Sequence, residues 1–207
     1  MSSEKEAMTA VAELLEVIGK HFFASDGLAK DIPFVGTFLA GINFLQDYRN
    51  KKFAKRITTF LTNFSIEDFN KFKKAIANKS NEDLGEEILS VIESLEKEVQ
   101  VNMVARATKM HIALLEEGHS PNSIKYILDY NIHIIKQLDS HLLRGLHAIY
   151  SGQNSGRIGS VDQTLFNLGL LKQEEQPSLA GATVHPLPSF TSSEQGRSFY
   201  NNIVCGE

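Results

Sequence analysis

Apolar positions recur at helical spacing from near the start of this chain to about residue 150. Val11, Leu14, Leu15 and Ile18 form one stripe, the three-to-four-residue period of an amphipathic helix. They predict a helix over 4–23, which Ser25-Asp26-Gly27 ends. A second helix opens near Asp31, with Pro33 in its first turn, where a missing N–H costs nothing. It runs to about Asn63, with a candidate break near Asn50. Ser65 and Asp68 stand at the spacing of a capping box and open a helix over 66–78. Ser80 or Asn81 caps the next, in which Leu84, Ile88, Val91, Ile92 and Leu95 keep the period into Met103 and Ala107 until Gly118 closes it. Ser120-Pro121, a cap residue followed by proline at the first helical position, restarts the chain. Ile124, Ile127, Leu128, Ile132, Ile135 and Leu138 carry that helix towards Tyr150.

Beyond Tyr150 the texture changes. SGQNSGRIGS reads as a linker over 151–159, and VDQTLFNLGLL as a short helix. A polar stretch then leads into SFTSSEQGRSFYNNIV. The pattern therefore divides the chain into a helical bundle over 1–150, the linker, and a tail over 160–207. No internal repeat or heptad run is present, which disfavours solenoids and coiled coils.

Composition narrows the setting. With 42% apolar and 22% charged residues the chain has the balance of a folded globular protein. The single cysteine, Cys205, has no internal partner for a disulfide, which fits a reducing compartment. A charged helix directly after Met1 is unlike a secretory signal, and no run approaches the ~18 apolar residues of a membrane span. The expected location is the cytoplasm, with peripheral association at the inner membrane where an apolar segment meets lipid. The net charge of −4 conceals an uneven distribution: residues 49–79 hold nine Lys/Arg against two acids, and residues 82–117 hold nine acids against three bases. The two zones suit neighbouring helices with complementary faces. The basic one also suits an anionic lipid surface or nucleic acid.

The segment most suggestive of function is IPFVGTFLAGINFL over 32–45, uncharged and followed by a dense basic cluster. Phe34, Phe38, Leu39, Ile42 and Leu45 are candidates to insert into a membrane surface or dock on a partner protein. Gly36 and Ala40, four apart, permit close helix approach. Arg49, Lys51, Lys52, Lys55 and Arg56 would meet anionic groups beside them. An apolar run of this length equally suits a buried core helix.

Catalytic and cofactor chemistry finds little footing. The glycines over 152–159 lack a following Gly-Lys-Ser/Thr and a preceding strand, so they do not make a phosphate loop. His133, His141 and His147 share one helical region with Asp129, but no metal-site spacing accompanies them, and His21, His111, His119 and His185 are isolated. No nucleophile motif occurs. Glu86/Glu87 and Glu116/Glu117 read as solvated helix faces rather than as a pair with one raised pKa. The expectation is no enzyme, no cofactor and no metal.

The tail carries one more pattern. Asn167-Leu168-Gly169-Leu170-Leu171, followed later by FTSSEQGRSF over 190–199, resembles the close of a winged-helix module, written L-x-x-x-GLL and T-x-x-G-x-x-F. The glycine would take the left-handed C-cap conformation, and the leucines would anchor a strand. Only Lys172 and Arg197 are basic there, with Arg157 just upstream, against Glu174, Glu175 and Glu194. That balance disfavours nucleic acid. A broader resemblance links Ile32-Pro33-Phe34-Val35-Gly36, Lys51-Lys52-Phe53, Val104-Ala105-Arg106, residues 120–128 and the LGLL…TxxG ending to a loosely defined group of bacterial and prophage-borne helical proteins. It implies phage-conflict biology, meaning defence or exclusion, and no catalytic residues.

The expected fold is all-α, an irregular helical bundle with a small winged-helix-like C-terminal tail. The expected function is that of an interaction protein acting through the apolar helix and basic cluster. A winged-helix transcriptional regulator is the alternative.

Overall fold

A computed structural model describes residues 48–77, 82–153, 157–174 and 189–206. Among them the chain is all-α in class, with eight α-helices, a final π-helical turn and one two-stranded sheet. The helices are α1 (Tyr48–Leu61), α2 (Ile66–Ala77), α3 (Glu82–Ser94), α4 (Glu98–Glu116), α5 (Pro121–Gln137), α6 (Ser140–Tyr150), α7 (Gly159–Asn167) and α8 (Glu194–Phe199). Strands β1 (Leu171–Gln173) and β2 (Phe190–Ser192) pair antiparallel, and the π turn (Tyr200–Cys205) follows α8. The helix expected over 4–23 and the start of the next lie outside the described residues.

The chain divides into two compact units, residues 1–132 and 133–207. This differs from the expected division at residue 150, because α6 packs on α7, β2 and the π turn. Its loose-looking glycine–serine connection joins elements of one unit rather than separating two.

In the first unit, α4 lies against α1, α2 and α3. Met103, Val104 and Ala105 are consecutive and all buried, so α4 is covered on more than one side. The Phe60, Phe64 and Phe72 rings cluster beside it, with centroids 5.0–6.0 Å apart, in the tilted and edge contacts that aromatic quadrupoles favour. The stripe of α3 is as predicted: Leu84, Ile88, Val91 and Ile92 are buried, with Leu95 just beyond it.

The helix ends follow the residues that satisfy them. The Asp68 N–H donates to Ser65 Oγ at 3.1 Å, and the Ser65 N–H donates back to Asp68 Oδ2 at 3.2 Å. This is the reciprocal capping box read from the sequence. After α4, Gly118 has φ +80°, its N–H reaches the Leu115 carbonyl, and the His119 N–H reaches that of Leu114. Gly169 (φ +74°) ends α7 in the same way, with bonds to Phe166 and Leu165. Both are Schellman closures.

Three expectations change. Asn50 lies inside α1, so that helix has no break there. The helix expected through 82–117 is two helices. The Ser94 hydroxyl turns back to the Val91 carbonyl at 2.7 Å. Lys97 is extended (φ −119°, ψ 141°), and its N–H is accepted by the Gln100 side chain at 3.3 Å. Likewise the helix expected from Ser120 towards Tyr150 stops at Gln137. Asp139 there accepts the N–H groups of His141 and Leu142, both at 2.8 Å, and starts α6. Apolar periodicity survives both interruptions, since Leu95 and Leu138 are buried within the breaks.

The second unit closes around Tyr150. Its hydroxyl donates to the Leu170 carbonyl at 2.6 Å and accepts the Ser193 N–H at 3.1 Å. Its ring stacks on Tyr200 at 5.2 Å. Gly196 sits where a Cβ would collide with that hydroxyl and with the Leu170 carbonyl. Arg157 donates to Asp162 at 3.0 Å and to the Phe190 carbonyl at 2.6 Å, tying the approach to α7 to β2.

Two stability changes are expected. Ser65→Ala should cost about 1 kcal/mol in denaturant unfolding, the ordinary worth of an N-cap. Tyr150→Phe should cost about 1–3 kcal/mol, because it strands a carbonyl and an amide. Hydrogen exchange should report that second loss in residues 140–206 and leave α3 and α4 protected.

Candidate interaction site

The candidate site residues fall into three groups. Phe34, Phe38, Leu39, Ile42 and Leu45 lie outside the described residues. Arg49 and Lys51 have their backbone in α1, and nothing further is described of their side chains. The remaining three cations point to different tasks. Lys52 is exposed on α1. Lys55 forms an ion pair with Glu98, at the first position of α4. The Arg56 guanidinium donates to the Glu93 carbonyl at 2.8 Å and approaches that of Ile92 at 3.5 Å. These carbonyls belong to the last turn of α3, where a helix has unpaired acceptors and a partial negative charge.

The same pairing extends along the basic zone. Lys71 on α2 reaches Glu67 at 2.9 Å and Glu116 of α4 at 3.1 Å. Hydrogen bonds donated to these two carboxylates raise its pKa above the ordinary lysine value. Lys109 of α4 approaches Asp68 of α2 at 3.5 Å. Burial pushes the Asp68 carboxyl up, but the Ser65 N–H and hydroxyl together with Lys109 outweigh it, and the net shift is downward. The basic stretch and the acidic stretch thus meet across helix pairs as complementary faces. These pairs are solvent-exposed, so each contributes modestly. Their larger effect is to give the cations neighbours of the opposite sign.

The cations of the tail divide in the same manner. Lys172 is exposed on β1. Arg157 is held by Asp162 and the Phe190 carbonyl, and Arg197 lies 5.7 Å from the centre of the Tyr150 ring. Among the histidines, His133 bonds Gln137 at 2.6 Å, and His147 Nδ1 bonds the Tyr200 hydroxyl. No group of three His, Cys, Asp or Glu among the described residues could hold a metal ion. No helix among them is long and apolar enough to cross a membrane.

One polar constellation was not foreseen. His111 of α4 is only 6% exposed, and it stands near Glu87 of α3 and Lys125 of α5. Asp129 lies beside the same Glu87, and burial together with that carboxylate raises its pKa. Spacing held a signal for the histidine, since His111 continues the stripe of Val104 and Thr108, both buried. Glu87 read as part of a solvated face because α3 and α5 are distant in sequence.

No protein-family model, curated protein or solved structure matches the chain.

The geometry separates two adjacent cations experimentally. Arg56→Ala should cost about 1–2 kcal/mol, because it exposes the α3 carbonyls to loss of a charged donor. Lys55→Ala should stay within about 0.5 kcal/mol, the range of an exposed pair. Equal effects of the two on thermal unfolding would show that Arg56 does not cap α3.

Proposed function

We propose that this chain is a non-enzymatic interaction protein of bacterial–phage conflict, acting in defence or exclusion. Its apolar segment over 32–45 engages a partner protein, with Phe34, Phe38, Leu39, Ile42 and Leu45 as the docking side chains. The conflict setting comes from the resemblance to prophage-borne helical proteins. One observation carries the choice of a protein partner over an anionic membrane. Lys55 and Arg56 of the basic cluster are engaged by groups of the chain itself, Glu98 and the Ile92 and Glu93 carbonyls. A surface built for lipid headgroups would present its cations outward. The non-enzymatic character is supported by the structural tasks of its polar side chains: Asp139 caps α6, Asp162 pairs with Arg157, and Glu116 pairs with Lys71.

A DNA-reading winged tail has less support. Arg157 is held by Asp162, and Lys172 and Arg197 are exposed, Arg197 lying beside the Tyr150 ring. Two exposed cations fall short of the cationic track that phosphate contacts require.

The test combines vesicle flotation with stability. The full chain is mixed with anionic vesicles at about 0.05 M and about 0.5 M salt, which spans strong to weak screening. The expected result is no flotation at either, and a Phe38→Asp variant whose melting temperature is nearly unchanged, as for an exposed docking residue. Flotation at low salt that Lys51→Glu/Lys52→Glu abolishes would replace the partner with a membrane surface. A Phe38→Asp chain destabilised by several kcal/mol would make the segment core and remove it as a docking site.

A further inference from the structure

His111 is a buried ionisable group among the described residues of the first unit. Its Nδ1 has no hydrogen-bond partner among the described residues, although the ring is 6% exposed. The Ile124 backbone of α5 faces the ring, and the charged groups near it are Glu87 from α3 and Lys125 from α5. On α4 itself the residues one turn away are Ala107, Thr108, Leu114 and Leu115, none of them ionisable. Lys125 Nζ donates to Glu87 Oε2 at 3.0 Å. Asp129, one turn further along α5, lies beside the same Glu87, and burial together with that carboxylate raises its pKa. Residues 121–132 thus meet the α3–α4 pair at a buried imidazole with an ion pair beside it.

We propose that the seat of residues 121–132 on α3 and α4 is a proton-controlled contact, with His111 as the receptor and mild acid as the signal that releases the first half of α5. The closed seat has room for a neutral imidazole. A proton at Nδ1 would add a buried donor with no acceptor and a positive charge facing Lys125, while Glu87 is already paired with Lys125. Opening gives the imidazolium water. The proton therefore binds the open form more tightly and draws the equilibrium towards it.

The direction follows from the two kinds of group. Burial lowers the His111 pKa below its ordinary value, so its contribution to the closed form is complete above that ordinary value and is lost as pH falls below it. Asp129 acts oppositely: burial and the adjoining Glu87 raise its pKa, so its contribution is present in acid and is lost as pH rises through the raised value. Between the carboxylate range and the ordinary histidine value, His111 sets the response.

Hydrogen exchange of the full chain tests this. Amide protection in residues 121–132, corrected for intrinsic exchange, should fall about tenfold between pH ~7.5 and pH ~5.5, as expected for a group of ordinary pKa ~6.5 that protonates only when open. Protection in residues 98–110 should change far less, and His111→Gln should abolish the response. An equal fall in His111→Gln, or a wild-type fall shared equally by residues 98–110, would overturn the proposal. Should His111→Gln fail to fold, the wild-type imidazole resonance decides. A dominant resonance that stays neutral while protection falls upholds the contact, and titration near the ordinary histidine value with protection unchanged overturns it.

Discussion

Each short helix leaves backbone amides unpaired at its start and carbonyls unpaired at its end. A chain cut into many such pieces must supply partners for all of them, and this constraint organises both units. Ser65 and Asp68 satisfy the start of α2, Asp139 that of α6, and Ser193 that of α8. Gly118 and Gly169 let the chain fold back on the carbonyls of α4 and α7. At the end of α3, where no glycine stands, a side chain from another helix serves, and Arg56 joins α1 to α3 in doing so. The Tyr150 hydroxyl plays the corresponding part in the second unit, bonding the carbonyl that enters β1 and the amide that leaves β2. Capping here is therefore also tertiary linkage.

That double use explains why charge proved a weak guide to a binding surface. Arg56 and Lys55 belong to a run of five cations within eight residues, a density that suggests an external anion. Helix geometry splits the run: adjacent residues project about 100° apart, so a linear cluster becomes several faces. One face meets the Glu93 carbonyl, another meets Glu98, and Lys52 remains exposed. The acidic stretch over 82–117 supplies the complement, as the Lys55–Glu98 and Lys71–Glu116 pairs illustrate.

What could be read in advance divides along the same physical line. Local signals were legible. The Ser65/Asp68 box, the Pro121 start, the Gly118 stop and the left-handed Gly169 each depend on residues within one turn. The core stripe of Leu84, Ile88, Val91 and Ile92 was legible because burial repeats with the helix period. The breaks at 95–97 and 138–139 were not, since Leu95 and Leu138 stay buried and the apolar rhythm runs through the interruptions. The π turn had no signature, being a matter of hydrogen-bond register rather than composition. For the candidate site, the sequence identified the basic cluster but not its partners, because Glu98 and the Ile92 and Glu93 carbonyls lie some forty residues away.

His111 illustrates the limit from the opposite side. Taken alone it is an isolated histidine, and its place on the α4 stripe indicates burial but not neighbours. Only the meeting of α3 and α5 at α4 brings Glu87 and Lys125 beside it, and Asp129 beside Glu87. Burial of one ionisable ring next to a lysine is costly when charged and cheap when neutral, whereas the Ser65–Asp68 box and the Tyr150 bridge use groups whose bonds hold across ordinary pH. The first unit thus combines helix ends fixed by capping and carbonyl bonds with one helix seat whose strength follows proton concentration. The response is concentrated there, because the element with a titratable seat opens before the rest of the first unit's core loses contact.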